Sequence, residues 1–212
     1  MSTPPLIQII IGSTRVHRRA DSIARWFAAI AEPREDLRTE IIDLRELDLP
    51  FLTDATPPMD AASRDPDAAH WSEKAASADG YVIVVPEYNH GYPAVVKNAL
   101  DHLFSEWRRK PIGFVSYGGA GGGIRASEQL RQVAIELDMA PVRRQVAIPR
   151  IWAELDADGF PRDPHLADLA DDLLGDMAWW AAALRAGRNA VEAPDVRTPP
   201  RIAPEPVLEK AS

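Results

Sequence analysis

Three short segments of this chain hold residue types that could grip an anionic, planar ligand. Gly12-Ser13-Thr14-Arg15 follows the apolar run Leu6 to Ile11 and precedes a helical pattern. Free amides at a helix N-terminus, the hydroxyls of Ser13 and Thr14 and the Arg15 guanidinium suit a phosphate, and Arg18, Arg19 and Ser22 are close enough to contribute. The same residues would equally make an ordinary N-capped helix with exposed arginines. Pro86-Glu87-Tyr88-Asn89-His90-Gly91 follows the apolar run Tyr81 to Val85. Here Tyr88 offers an aromatic face, while Asn89 and His90 offer donors. Glu87 either braces the turn or faces solvent. The third segment is Ser116-Tyr117-Gly118-Gly119-Ala120-Gly121-Gly122-Gly123. So many glycines let backbone approach a flat ring without interference from Cβ atoms, the alternative being a plain flexible loop.

The elements that position these segments follow from periodicity. Strands are expected at Leu6 to Ile11, Thr39 to Leu44, Gly80 to Val85, Ile112 to Ser116 and Val142 to Ile148. Helical spacing falls at Ala20 to Ala31, Ala68 to Ala78, Val95 to Phe104, Ala126 to Leu137 and Leu166 to Leu184. Asp48 to Pro66 is rich in Pro and Asp and reads as an irregular loop. Five strands alternating with helices specify a doubly wound parallel sheet with helices on both faces. The order 2-1-3-4-5 would bring the loops after strands one, three and four to one crevice at the switch point. Residues 1–186 are read as this domain and 187–212 as a Pro-rich C-terminal tail.

Composition removes other chemistries. The chain has 212 residues and no cysteine, so disulfides, thiolate catalysis and cysteine-ligated metals are out. A net charge of −8 argues against a nucleic-acid or anionic-membrane partner. No apolar run approaches the length of a membrane span, and a cytoplasmic protein is expected. His17, His70, His90, His102 and His165 form no i,i+4 pair, so no metal site is expected. There is no Gly-x-Ser-x-Gly elbow and no Walker A loop, and Gly121 to Ala126 fits a dinucleotide fingerprint only weakly. Asp156-Ala157-Asp158-Gly159 lacks the further ligands of a calcium loop and reads as a reverse turn. Lys97 and Asn98 most simply sit on their helix. Trp107 and Trp152 could border a ring pocket or bury a core or subunit contact.

Taken in order, Gly12-Ser13-Thr14-Arg15, Pro86-Glu87-Tyr88-Asn89 with Gly91, Pro93 and Lys97-Asn98-Ala99-Leu100-Asp101, and Ser116-Tyr117-Gly118-Gly119 resemble the NADPH-dependent FMN reductase family over roughly residues 5 to 150. This chain has Val16-His17-Arg18-Arg19 where many relatives carry Pro-Gly or a hydroxyl residue. The resemblance implies a flavodoxin-like fold, FMN as cofactor and NADPH or NADH as cosubstrate. It implies that Ser13 and Arg15 hold the FMN phosphate, with Arg18 and Ser22 nearby. Pro86, Glu87, Tyr88, Asn89 and His90 would run along the ribityl chain and ring, and Ser116, Tyr117, Gly118 and Gly119 would lie toward the pyrimidine edge. Negative charge developing at that edge would be stabilised by fixed amides, with no side-chain acid or base required. The acceptor would be a small molecule, a free flavin, quinone or azo compound, and the protein a homodimer or homotetramer. A flavodoxin-type electron carrier and a flavin-sensing interaction module are the readings from other classes. Arg15 counts against the carrier, because flavodoxins hold phosphate with a hydroxyl- and glycine-rich loop lacking arginine.

Overall fold

The computed structural model describes residues 3–63 and 65–191. Its strands are β1 (Leu6–Ile11), β2 (Arg38–Asp43), β3 (Gly80–Pro86), β4 (Pro111–Tyr117) and β5 (Ala140–Ile148). They form one parallel sheet in the order β2-β1-β3-β4-β5. The flavodoxin-like order expected from the sequence is therefore the observed one. β3 and β4 are buried along their whole length, which accounts for their unbroken apolar runs.

The twofold alternation of each strand divides the interior in two. Ile7, Ile9, Ile11, Val82 and Val84 point to the face covered by α1 (Ala20–Ala31) and α7 (Pro164–Ala190). Ile10, Tyr81, Ile83 and Val85 point to the other face. That face is covered by α2 (Leu44–Leu47), α3 (Pro66–Ser77), α4 (Ala94–Asp101) and α5 (Ile124–Glu136). A last short helix, α6 (Ile151–Glu154), follows β5 directly.

Differences from the periodicity lie at element ends and have local causes. Helix α3 starts two residues before its apolar pattern, because the Asp65 carboxylate accepts from the amides of Asp67 and Ala68 and Pro66 occupies the first turn. Asp43 likewise starts α2 by accepting from the Arg45 amide, and this short helix was not expected. Helix α4 stops at Asp101 rather than Phe104. Helix α7 runs to Ala190, taking in the first four residues of the tail expected from 187. Arg185 and Arg188 in that last turn are both anchored to Asp79, and such ties outweigh the helix-weakening Gly187. The tail from residue 192 lies outside the described residues. The turn at Asp156 to Gly159 forms as expected, with the Asp156 carboxylate accepting from the amides of Asp158 and Phe160 and Gly159 at φ +81°.

Candidate functional site

At the carboxyl edge of the sheet, β1, β3 and β4 release the three chemistry-bearing segments side by side. The Gly12 amide donates to the Val84 carbonyl (2.9 Å) and the Glu87 amide to the Tyr117 carbonyl (3.1 Å), so each loop begins pinned to its neighbour. Beyond those pins the donors are unspent. Among the described residues, the amides of Thr14, Arg15 and Val16 find no acceptor within the chain, and neither do those of Asn89, His90, Gly119 and Ala120. Buried backbone donors are almost always paired, but these seven lie on exposed or half-buried loop residues at one sheet edge and are free to meet the acceptor atoms of a ligand.

Local geometry sets the shape of these loops. Tyr88 and Gly91 exchange both of their backbone hydrogen bonds (2.8 and 3.0 Å), closing a two-residue turn over Asn89 and His90. Both turn residues have positive φ, 51° and 69°, as a primed hairpin turn requires. Asparagine and histidine are among the side chains that best tolerate that conformation, and Gln129 Nε2 holds the turn by donating to the His90 carbonyl (2.9 Å). The third loop is set by Gly123, at φ +82°, where a Cβ would stand 2.7 Å from the Tyr117 nitrogen.

Side chains fall into two groups. Arg15 is exposed and, among the described residues, has no hydrogen-bond or ion-pair partner; its guanidinium stands 5.6 Å from the Tyr88 ring centroid. Ser13 is buried, with its hydroxyl 2.8 Å from that of Tyr88. These two groups, with the Thr14 to Val16 amides, fit a phosphate.

Arg18 departs from the expectation. Its side chain is only 6% exposed, paired with Asp21 and Asp43 and donating to the Ser13 carbonyl (2.6 Å). Burial works against the Arg18 cation, but the hydrogen bonds to Asp43 and Asp21 outweigh it and raise its pKa. Its charge is thus used to shape the first loop, and Arg18 braces the site instead of contributing a free cation to it. Ser22 donates to the Arg19 carbonyl and packs where a Cβ on Gly159 would clash, so it is structural too. Ser116 is fully buried and gives its hydroxyl to the Gly122 carbonyl (2.8 Å). Glu87 braces the turn, pairing with Arg125 (2.7 Å) and capping its amide (3.2 Å). Tyr117 sends its ring inward to the core; burial first, then the nearby Tyr88 and Asp21, push its phenol pKa well up, so it stays protonated.

Gly118 and Gly119 follow β4 at the same sheet edge, with Pro86 buried at the end of β3. Trp107 belongs to the core, edge-on to Trp71 and Tyr81. Lys97 pairs with Asp101, and Asn98 holds the loop before α3 by donating to the Pro50 carbonyl. The bracing roles of Gln129, Arg125, Asp21 and Asp43 were not legible beforehand, because each depends on a partner brought near by folding. A hollow of about 280 Å³ lined by residues such as Pro58, Ser72, His102 and Glu106 lies under the 48–63 loop, off the crevice.

Comparison with known proteins now decides the family. The family model for NADPH-dependent FMN reductase matches residues 5–153, which span all five strands and the three loops. The chain belongs to that family. An NAD(P)H-dependent FMN reductase of Schizosaccharomyces pombe is 40% identical over 151 residues, covering 69% of this chain and 74% of that one. An FMN-dependent NADPH-azoreductase of Staphylococcus aureus is 34% identical over 130 residues, covering 60% and 66%. Among solved structures, a flavoenzyme NAD(P)H:(acceptor) oxidoreductase from Paracoccus denitrificans superposes with a TM-score of 0.69 at 20% identity, covering 84% of this chain and 98% of that one. At that identity the likeness speaks for the fold.

Proposed function

We propose that this chain is an FMN-dependent oxidoreductase that takes reducing equivalents from NADPH or NADH and passes them to a small-molecule acceptor, a free flavin, a quinone or an azo compound. The observation that supports this reading best is the set of unspent amides on three adjacent loops, joined by the unpartnered Arg15. Such a set suits a ligand with an anionic end and a flat, acceptor-rich ring, which describes FMN. Bound FMN would supply the two-electron chemistry between nicotinamide and acceptor.

The chain's own part is positioning and electrostatics. Arg15, Ser13 and the Thr14 to Val16 amides hold the phosphate. The outward amides of Asn89, His90, Gly119 and Ala120 supply fixed dipoles where negative charge develops on the ring edge, so little reorganisation is needed as it forms. No side chain has to give or take a proton, and the protonated, buried Tyr117 serves as floor. Nicotinamide and acceptor use the open side of the crevice in turn, a ping-pong sequence.

The purified protein is expected to show a flavin visible spectrum when loaded with FMN. NADPH or NADH should bleach it, and a quinone, azo dye or free flavin should restore it without a partner reductase. Absence of bleaching by both nicotinamides would sink the reading, and the rates with the two give the preference. A homodimer or homotetramer is part of the same proposal, and light scattering measures it.

A further inference from the structure

Trp152 is a residue that the fold presents and the proposed function leaves without a role. Its side chain is 74% exposed, at the second position of α6. A large aromatic ring left in water on a mobile segment would say little, but this one stands on a braced base. The Arg150 amide donates to the Gly119 carbonyl (2.8 Å) and the Ile151 amide to the Gly118 carbonyl (3.1 Å), clipping α6 directly to the glycine loop. Behind it, Glu154 accepts from the amides of Arg162 and Asp163 (3.0 and 2.9 Å), and Leu155 bridges to Pro161. Arg150 itself takes a left-handed conformation (φ 47°) to make the corner.

The indole edge then reaches the crevice. A Cβ placed on Gly119 would lie 3.6 Å from the Trp152 ring, with nothing else within 4 Å. The ring thus stands beside Gly119, at the rim of the site described above. The other exposed tryptophans differ, since Trp179 and Trp180 lie edge-to-face against each other (5.1 Å). Trp152 has no aromatic neighbour among the described residues, and its π face is unspent.

We propose that Trp152 and the Gly118-Gly119 backbone form a stacking subsite for planar aromatic electron acceptors, which makes the enzyme prefer flat quinones or azo dyes to compact oxidants. This rests on the flavin-reductase reading. A planar acceptor can lie against the indole face, whereas an octahedral ion has no face to stack. The subsite adds binding selectivity and takes no part in the electron transfer.

The test uses the full chain loaded with FMN, as wild type, Trp152→Ala and Trp152→Phe. Menadione binding is titrated on the oxidised protein without nicotinamide, and kcat/KM is measured with menadione and with ferricyanide. Loss of a stacked aromatic is expected to raise the menadione Kd roughly 5- to 30-fold in Trp152→Ala. The menadione-to-ferricyanide ratio of kcat/KM should fall by a similar factor, and Trp152→Phe should recover most of both. Wild-type menadione binding in Trp152→Ala, or equal losses with both acceptors, would overturn the subsite. A change of oligomer mass in that variant would overturn it too, because Trp152 would then be an interface residue. If wild type turns over neither acceptor, the flavin reading fails first, and the subsite falls with it.

Discussion

The two edges of the same sheet treat their donors in opposite ways. At the amino edge Arg185, Arg188 and Lys110 are each answered. Asp79 accepts from Arg185 (3.1 Å), Arg188 (3.2 Å) and the Leu6 amide (3.0 Å). Lys110 donates to the carbonyls of Ala75 and Ala76 and to the Tyr81 hydroxyl, at 3.0–3.1 Å. At the carboxyl edge Arg15 and seven backbone amides are left open to solvent. A saturated network in a partly buried place is structural, whereas unspent donors around a shallow crevice mark a place for a ligand. The contrast recurs inside the site, where Arg18 is saturated and Arg15, three residues earlier, is not.

Removing an anchor at the amino edge should give the largest effect. Asp79→Ala leaves Arg185, Arg188 and the Leu6 amide without their shared acceptor, and should lower unfolding free energy by about 3 kcal/mol in a urea titration. FMN affinity of the folded fraction should stay within about twofold; a large drop would mean that the two edges are coupled. Arg18→Ala is next, at about 2 kcal/mol of stability, since Asp43 and the Ser13 carbonyl lose a buried partner. Arg15→Ala should do the reverse, weakening FMN binding by about 1.5–3 kcal/mol by calorimetry while the urea midpoint hardly moves. If the two arginine variants behaved alike, the distinction between spent and unspent donors would have no predictive value.

A pH series sharpens the amino edge further. Burial first, and then the nearby Arg188, pull the Lys110 pKa down from 10.5 to about 8. A lysine with a depressed folded pKa binds fewer protons folded than unfolded between those values, so stability should rise with pH across that window. Between pH 8 and 9 the gain is about 1 kcal/mol, and Lys110→Met should flatten it. An unchanged slope in Lys110→Met would assign the effect to another group.

Much of this protein was legible in its residues because the signals were local. Unbroken apolar runs gave β3 and β4, helical spacing gave α1 to the residue, and the alternation of elements led to the sheet order. The three loops were legible for the same reason, each being a short string of donors, hydroxyls or glycines next to a strand end. Helix ends went astray where capping or a distant ion pair decided them, as at Asp65 and Arg188.

What only the tertiary structure decided is which donor is free. Arg15 and Arg18 are alike as letters. Asp43, brought beside β1 by strand pairing, takes Arg18, and the Gly122 carbonyl takes Ser116. Whether a charge is available depends on what surrounds it in space, and Arg18 and Asp43, 25 positions apart, have no local pattern to announce their meeting. Trp152 makes the same point: the sequence left it between pocket rim, core and interface, and its place beside Gly119 was set by the backbone clips that join α6 to the loop after β4.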